Sequence, residues 1–109
     1  MKYPRGILKK IRSNHGNLRS NEIEGWFILP PILHSIFVLI AEPLVEGDAR
    51  IVDTTPILSI EKLETEHHIR FETRNSTYEF IPLDPSEPDN PHIVSLLERM
   101  TPQYYLELT

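Results

Sequence analysis

The sequence has no cysteine and only four glycines among its 109 residues. Without cysteine there is no disulfide framework, no thiolate zinc site and no thiol nucleophile. The glycines stand singly at Gly6, Gly16, Gly25 and Gly47, so no glycine-rich loop is available to cradle a phosphate. There is no Gly-x-Ser-x-Gly elbow, and His34-Ser35 are chain neighbours, the wrong geometry for a base and its nucleophile. A bilayer-spanning run is missing too. The longest apolar stretch, residues 26–41, contains Pro30-Pro31 and is interrupted by His34-Ser35. Lys9, Lys10 and Arg12 break what would be the apolar region of a secretory signal. The simplest expectation is a cytoplasmic protein.

What is present fits one globular domain. The length matches a single unit, and 39% hydrophobic with 25% charged residues is not the composition of a disordered chain. Ten prolines against four glycines imply short, stiff connections. Charge is segregated. Lys2, Arg5, Lys9, Lys10, Arg12 and Arg19 give residues 1–20 a charge of +6 with no acid. The remaining five basic residues and all 16 acids give residues 21–109 a charge of −11. The net −5 thus describes a basic N-terminal arm on an acidic body.

Periodicity predicts mostly strands. Residues 7–12, 26–29, 35–41, 50–53 and 57–63 are short β-type runs, separated by Asn14-His15-Gly16-Asn17, Pro30-Pro31, Val45-Glu46-Gly47-Asp48 and Thr54-Thr55-Pro56. The clearest signal is a hairpin. Ile69-Arg70-Phe71-Glu72-Thr73 and Thr77-Tyr78-Glu79-Phe80-Ile81 both alternate about a tight turn at Arg74-Asn75-Ser76. Residues 84–91 read as a proline-rich loop. Asn90 is placed as an N-cap with Pro91 at the first helical position, and a short helix runs over 92–100 until Pro102 stops it. Tyr104-Tyr105-Leu106-Glu107-Leu108 reads as a final strand or an anchored tail. The expected fold is mainly β, a small partly open barrel or roll of about six short strands with one C-terminal helix. Residues 1–83 would form the barrel and its basic arm, and residues 84–109 the proline-rich connection, helix and tail on the same domain.

Chemistry-bearing clusters are sparse. His67-His68, flanked by Glu64 and Glu66, would point to opposite faces of a strand and read as a solvated turn, not a metal site. Glu22, Glu24 and Glu61 read as solvated strand faces, since a catalytic carboxylate pair must converge on a pocket. Neither a metal nor another cofactor is implied, and no enzyme activity is expected. Two binding readings remain. In the first, the chain binds a protein partner or itself through Trp26, Phe27, Pro30, Pro31, Ile32 and Leu33, with Tyr104 and Tyr105 adding to the surface. In the alternative, Arg5, Lys9, Lys10 and Arg12 contact nucleic acid beside Tyr3 and Trp26, against the repulsion of the −11 body. The arm could also simply pair with the chain's own acids.

The order Gly25-Trp26-Phe27-x-Leu29-Pro30-Pro31, then Thr54-Thr55-Pro56-Ile57, then Thr73-x-Asn75-Ser76-x-Tyr78 resembles short uncharacterised all-β proteins of bacteria and their phages. The resemblance covers residues 25–83. It implies a small barrel and carries over no activity and no site residue. The first reading, a protein-binding or adaptor module, is the one taken forward.

Overall fold

Alternation along the N-terminal segment sets the two faces of the sheet. Leu8 is buried and Gly6 is buried with it, while Ile7 and Lys9 between and beyond them point the other way. This strand, β1 (Tyr3–Ser13), is eleven residues long, as is its partner β7 (Ser76–Ser86). The two pair antiparallel with Leu8 opposite Phe80. Around them lie β2 (Glu22–Trp26), β3 (Val38–Ala41), β4 (Arg50–Asp53), β5 (Ile57–Lys62) and β6 (Ile69–Thr73), and the chain ends in helix α1 (Pro91–Leu108). This computed structural model describes residues 2–13, 22–43, 49–63 and 68–108, with the backbone alone at 13 and 101–108.

The strands form one antiparallel sheet in the order β4-β3-β2-β1-β7-β6-β5. The chain is therefore a β-rich roll with a C-terminal helix, and the sheet is not closed into a barrel. Curling the sheet encloses a core of Leu8, Phe37, Leu39, Ile57, Phe71 and Phe80. Phe37 is its hub. Its ring lies 5.1 Å from Phe80 and 5.9 Å from Phe71, and Phe27 meets Phe80 edge-on at 5.1 Å. Such tilted and edge-on contacts suit the ring quadrupoles and add to the burial of the rings. A second cluster occupies the outer face. Tyr3, Ile40, Ile93 and Leu97 are buried there with Trp26 and Met100 packed against them. Leu39 and Ile40 are adjacent and both buried, one on each face, because α1 covers the outside of β3.

Local chemistry explains the joints. Asn90 caps α1: the His92 backbone N–H donates to Asn90 Oδ1 at 2.9 Å, and the Asn90 amide donates to Glu42 at 3.2 Å. The Trp26 indole N–H donates to the carbonyl and hydroxyl oxygens of Ser86 at 3.3 and 3.2 Å, tying β2 to the end of β7. Gly6 and Gly25 face each other in register. A Cβ at Gly6 would collide with the Phe80 ring, and one at Gly25 would stand 2.6 Å from the Ile40 carbonyl oxygen. The glycine pair thus lets β3 and Phe80 approach β1 and β2 closely.

Several sequence expectations need correction. Among the described residues there are seven strands, two of them long. The second strand is Glu22–Trp26 and not 26–29: the Phe27 N–H still donates to the Pro4 carbonyl of β1 at 3.1 Å, but its ring packs against the core and the ladder goes no farther. Residues 35–37 precede β3, which starts at Val38. β7 continues through Pro82 and Pro85 to Ser86, where a loop was expected. The β6 ladder ends at Phe80, so these prolines lie where β7 has β1 alone beside it. The helix passes Pro102 and takes in Tyr104 and Tyr105, so no final strand forms there. Proline's fixed φ is compatible with a helix, and the ring forfeits one hydrogen bond without ending it. Of the basic N-terminal segment, residues 3–13 are not an arm but the central strand of the sheet, and Arg19 lies outside the described residues. The expected turns at 14–17 and 45–48 lie outside the described residues.

Two tests follow from this packing. Gly25→Ala should lower the unfolding free energy by ~1–3 kcal/mol, since the obstacle is backbone and cannot swing aside. A denaturant midpoint unchanged from the parent would contradict the close approach. Tyr3 supplies the second test. Its phenol pKa is raised from 10.0, first by burial and then by the negative charges of Glu98 and Glu87. A raised native pKa gives stability that is present below pH 10.0 and lost as pH rises through the native value. Stability should therefore fall in that alkaline window, and Tyr3→Phe should flatten the fall.

Candidate protein-binding surface

The roll comes closest to closing at one residue. β4 and β5 are separated only by Thr54-Thr55-Pro56, so residues 50–62 form one bent strand. Its first half pairs with β3, from Ala41 opposite Arg50 to Val38 opposite Asp53. Thr54 prolongs that ladder: its N–H donates to the Phe37 carbonyl at 3.0 Å, and its hydroxyl accepts from the Phe37 N–H at 3.1 Å. The same hydroxyl donates to the Thr55 carbonyl at 2.8 Å, so it is satisfied both as donor and as acceptor. Beyond the bend, Ile57 joins both sides. Its N–H donates to Ser35 at 3.0 Å, its carbonyl accepts from His34 at 2.8 Å, and its other edge pairs with Thr73. Past Ile57 the bent strand pairs with β6 only, among the described residues.

The segment that meets Ile57 is a turn. The Ser35 N–H donates to the Ile32 carbonyl at 3.1 Å, and His34 sits at φ 69°. A left-handed residue at the third position is what a type II turn requires, and a non-glycine residue there carries strain. The strain is offset by the His34 bond to Ile57 and by the buried Phe37 that follows.

Large apolar side chains are exposed around this joint. Leu33 is 45% exposed and Leu58 59%, and each is the chain neighbour of a bonded residue, His34 or Ile57. Ile60 is 37% exposed farther along β5. On the outer side, Ile32 and Ile36 are exposed and line a groove of about 260 Å³ with Ile28, Leu29, Pro30 and Met100. Ile51 on β4 is exposed as well.

The residues singled out in the sequence divide accordingly. Pro30, Ile32 and Leu33 belong to the exposed surface. Pro31 is buried, Phe27 lies against the aromatic core, and Trp26 is half-buried against the helix cluster, so these three are structural. The side chains of Tyr104 and Tyr105 lie outside the described residues. Leu58, Ile60, Ile36 and Ile51 were not anticipated. The signal for the first two was the apolar character of both sides of residues 57–60, more than one buried face requires.

Arg5, Lys9 and Arg12 share the outer face of the sheet, but carboxylates stand among them, and Lys10 lies on the other side. Arg5 forms an ion pair with Glu24 at 3.1 Å, and its Nε donates to the Asp84 carbonyl at 3.3 Å. Lys9 stands between Glu22 on β2 and Glu79 on β7. Lys10 points to the other face, with its ammonium 5.8 Å from the Tyr78 ring centre. A register shift at Ile11 returns Arg12 to the outer side, opposite Thr77 and beside Glu72 in a polar hollow. Across the sheet the register reads Glu22, Lys9, Glu79, Arg70, Glu61, a row of alternating charge. His68 Nδ1 lies 3.1 Å from Glu79 in the same region, and His67, Glu64 and Glu66 lie outside the described residues. Among the described residues no three His, Asp or Glu side chains converge as a metal site would require, and no helix is long and apolar enough to cross a membrane.

No family model, curated protein or solved structure matches the chain.

The strained turn can be tested directly. His34→Gly relieves the left-handed residue, whereas His34→Val puts a β-branched side chain there. The valine variant should be less stable than the glycine variant by ~1–2 kcal/mol in urea unfolding. Equal stabilities would mean that the turn is not held in this form.

Proposed function

We propose that the protein is a non-enzymatic binding module that acts through protein contacts at the apolar rim of the incompletely closed roll. Ile32, Leu33, Leu58 and Ile60 form the centre of that surface. The observation that carries this reading is their exposure, 37–59%, where the bent strand meets the turn at residues 32–35. Exposed apolar side chains brought together on a small domain mark an interaction site, and the His34–Ile57 bond brings the chain segments of Leu33 and Leu58 together. The basic residues favour no second reading, because carboxylates stand opposite Lys9 and beside Arg5.

A photo-reactive amino acid placed at Leu33 tests the proposal, with the same group at Glu72, on a charged part of the sheet, as the control. The Leu33 probe should give a discrete cross-linked protein species in cells that make the protein, and Leu58→Asp should abolish it. The same species from both positions, or none from Leu33, would reject the surface.

A further inference from the structure

We infer that the partner at this surface is a second copy of the chain, added antiparallel along the free edge of β5 with Ile60 on the two-fold axis. This rests on the protein-binding reading above and specifies its partner.

Free backbone groups decide where a further strand can add. In an antiparallel ladder, successive residues turn their N–H and C=O groups alternately toward and away from the neighbouring strand. Ile57 points away from β6, since it bonds His34 and Ser35. At the far end Leu63 points toward β6, since its N–H donates to the His68 carbonyl at 2.9 Å. The register shift between Ile57 and Ser59 reconciles the two ends by moving the alternation one residue along. Ile60 and Lys62 therefore direct their backbone groups away from β6, toward an edge that no strand covers among the described residues. Ile60 is also exposed on that edge, as are Leu58, Ser59, Glu61 and Lys62. An edge with free backbone groups and apolar side chains is a template for another strand.

Symmetry and charge then select the register. A two-fold axis perpendicular to the sheet keeps every residue on its own face, so it must pass through a residue position. Centring on Glu61 opposes two carboxylates, and centring on Lys62 opposes two ammonium groups; like charges directly opposite are destabilising. Centring on Ser59 engages Ile57, whose backbone groups are already taken. Centring on Ile60 sets Ile60 against Ile60 of the second copy, Ser59 against Glu61, and Leu58 against Lys62. The serine hydroxyl can donate to the carboxylate, and the lysine stem can cover the leucine. No like charges meet. A single short strand pair buries less than the ~800 Å² per partner of a standard interface. The dimer should therefore dissociate on dilution.

The chain has no cysteine, which makes the test clean. In a hydrogen-bonded antiparallel pair the Cα atoms are about 5.5 Å apart, within disulfide range. Under mild oxidation Ile60→Cys should form a covalent dimer at least ~10-fold faster than Glu72→Cys, as expected when the two thiols are held together. The unmodified protein should approach twice its 12.7 kDa mass as concentration rises in sedimentation. Ile60→Lys should remain monomeric while keeping the parent's circular dichroism and unfolding midpoint. Equal oxidation rates at the two positions, or a mass fixed at that of the monomer at every concentration, would overturn the inference. If a monomeric protein still yields the Leu33 cross-link to a different protein, self-pairing fails and the binding surface stands. If Leu33 gives no cross-link but Ile60→Cys pairs preferentially, the strand pairing stands without the wider rim.

Discussion

The three-residue connection Thr54-Thr55-Pro56 dictates the shape of the molecule. β4 and β5 are the two edges of a seven-stranded sheet, and in a flat sheet they would lie about 29 Å apart at ordinary strand spacing. The chain from Asp53 to Ile57 can reach only about 15 Å. The sheet must curl until its edges meet, and the aromatic core around Phe37 is what the curl encloses. Thr54 secures the bend with a hydroxyl that accepts from the Phe37 N–H and donates to the Thr55 carbonyl. Pro56 stiffens it without asking for a ladder bond.

The same bend leaves the roll incomplete. A strand that serves β3 with one edge and β6 with the other exposes the opposite edge of each half. Among the described residues only Ile57, at the crossover, is flanked on both sides. Closure and exposure are thus two results of one geometry. The apolar residues at the rim follow from it as well, because residues 57–60 pass from the interior to the open side within one turn of the chain.

Much of this could be read in the residues where a single physical rule dominates. Residues 50–53, the alternating hairpin around Asn75, and the Asn90-Pro91 start of α1 each lie where alternation or capping chemistry acts alone. The second strand was displaced because residues 26–29 are apolar on both faces, and periodicity cannot separate a strand from a segment that dives into a core. The basic N-terminal segment read as an arm because its acidic neighbours are remote in sequence: Lys9 faces Glu79, and Arg5 pairs with Glu24. Of the expected surface, Pro30, Ile32 and Leu33 were legible from composition. Leu58 and Ile60 depended on which edge of a bent strand lacks a neighbour, a property of topology and not of local pattern.

The pairing of β1 with β7 joins the first strand of the chain to the last, with Leu8 opposite Phe80. Residues 22–53 and 57–86 can each build neighbouring ladders from nearby sequence, but the central ladder must close a loop of most of the domain before it contributes anything. Contacts of such long range slow the search for the native state. The longest pairing in the sheet is therefore also the one whose assembly the chain must wait for. Until it forms, both flanks of the sheet present open edges to the surroundings.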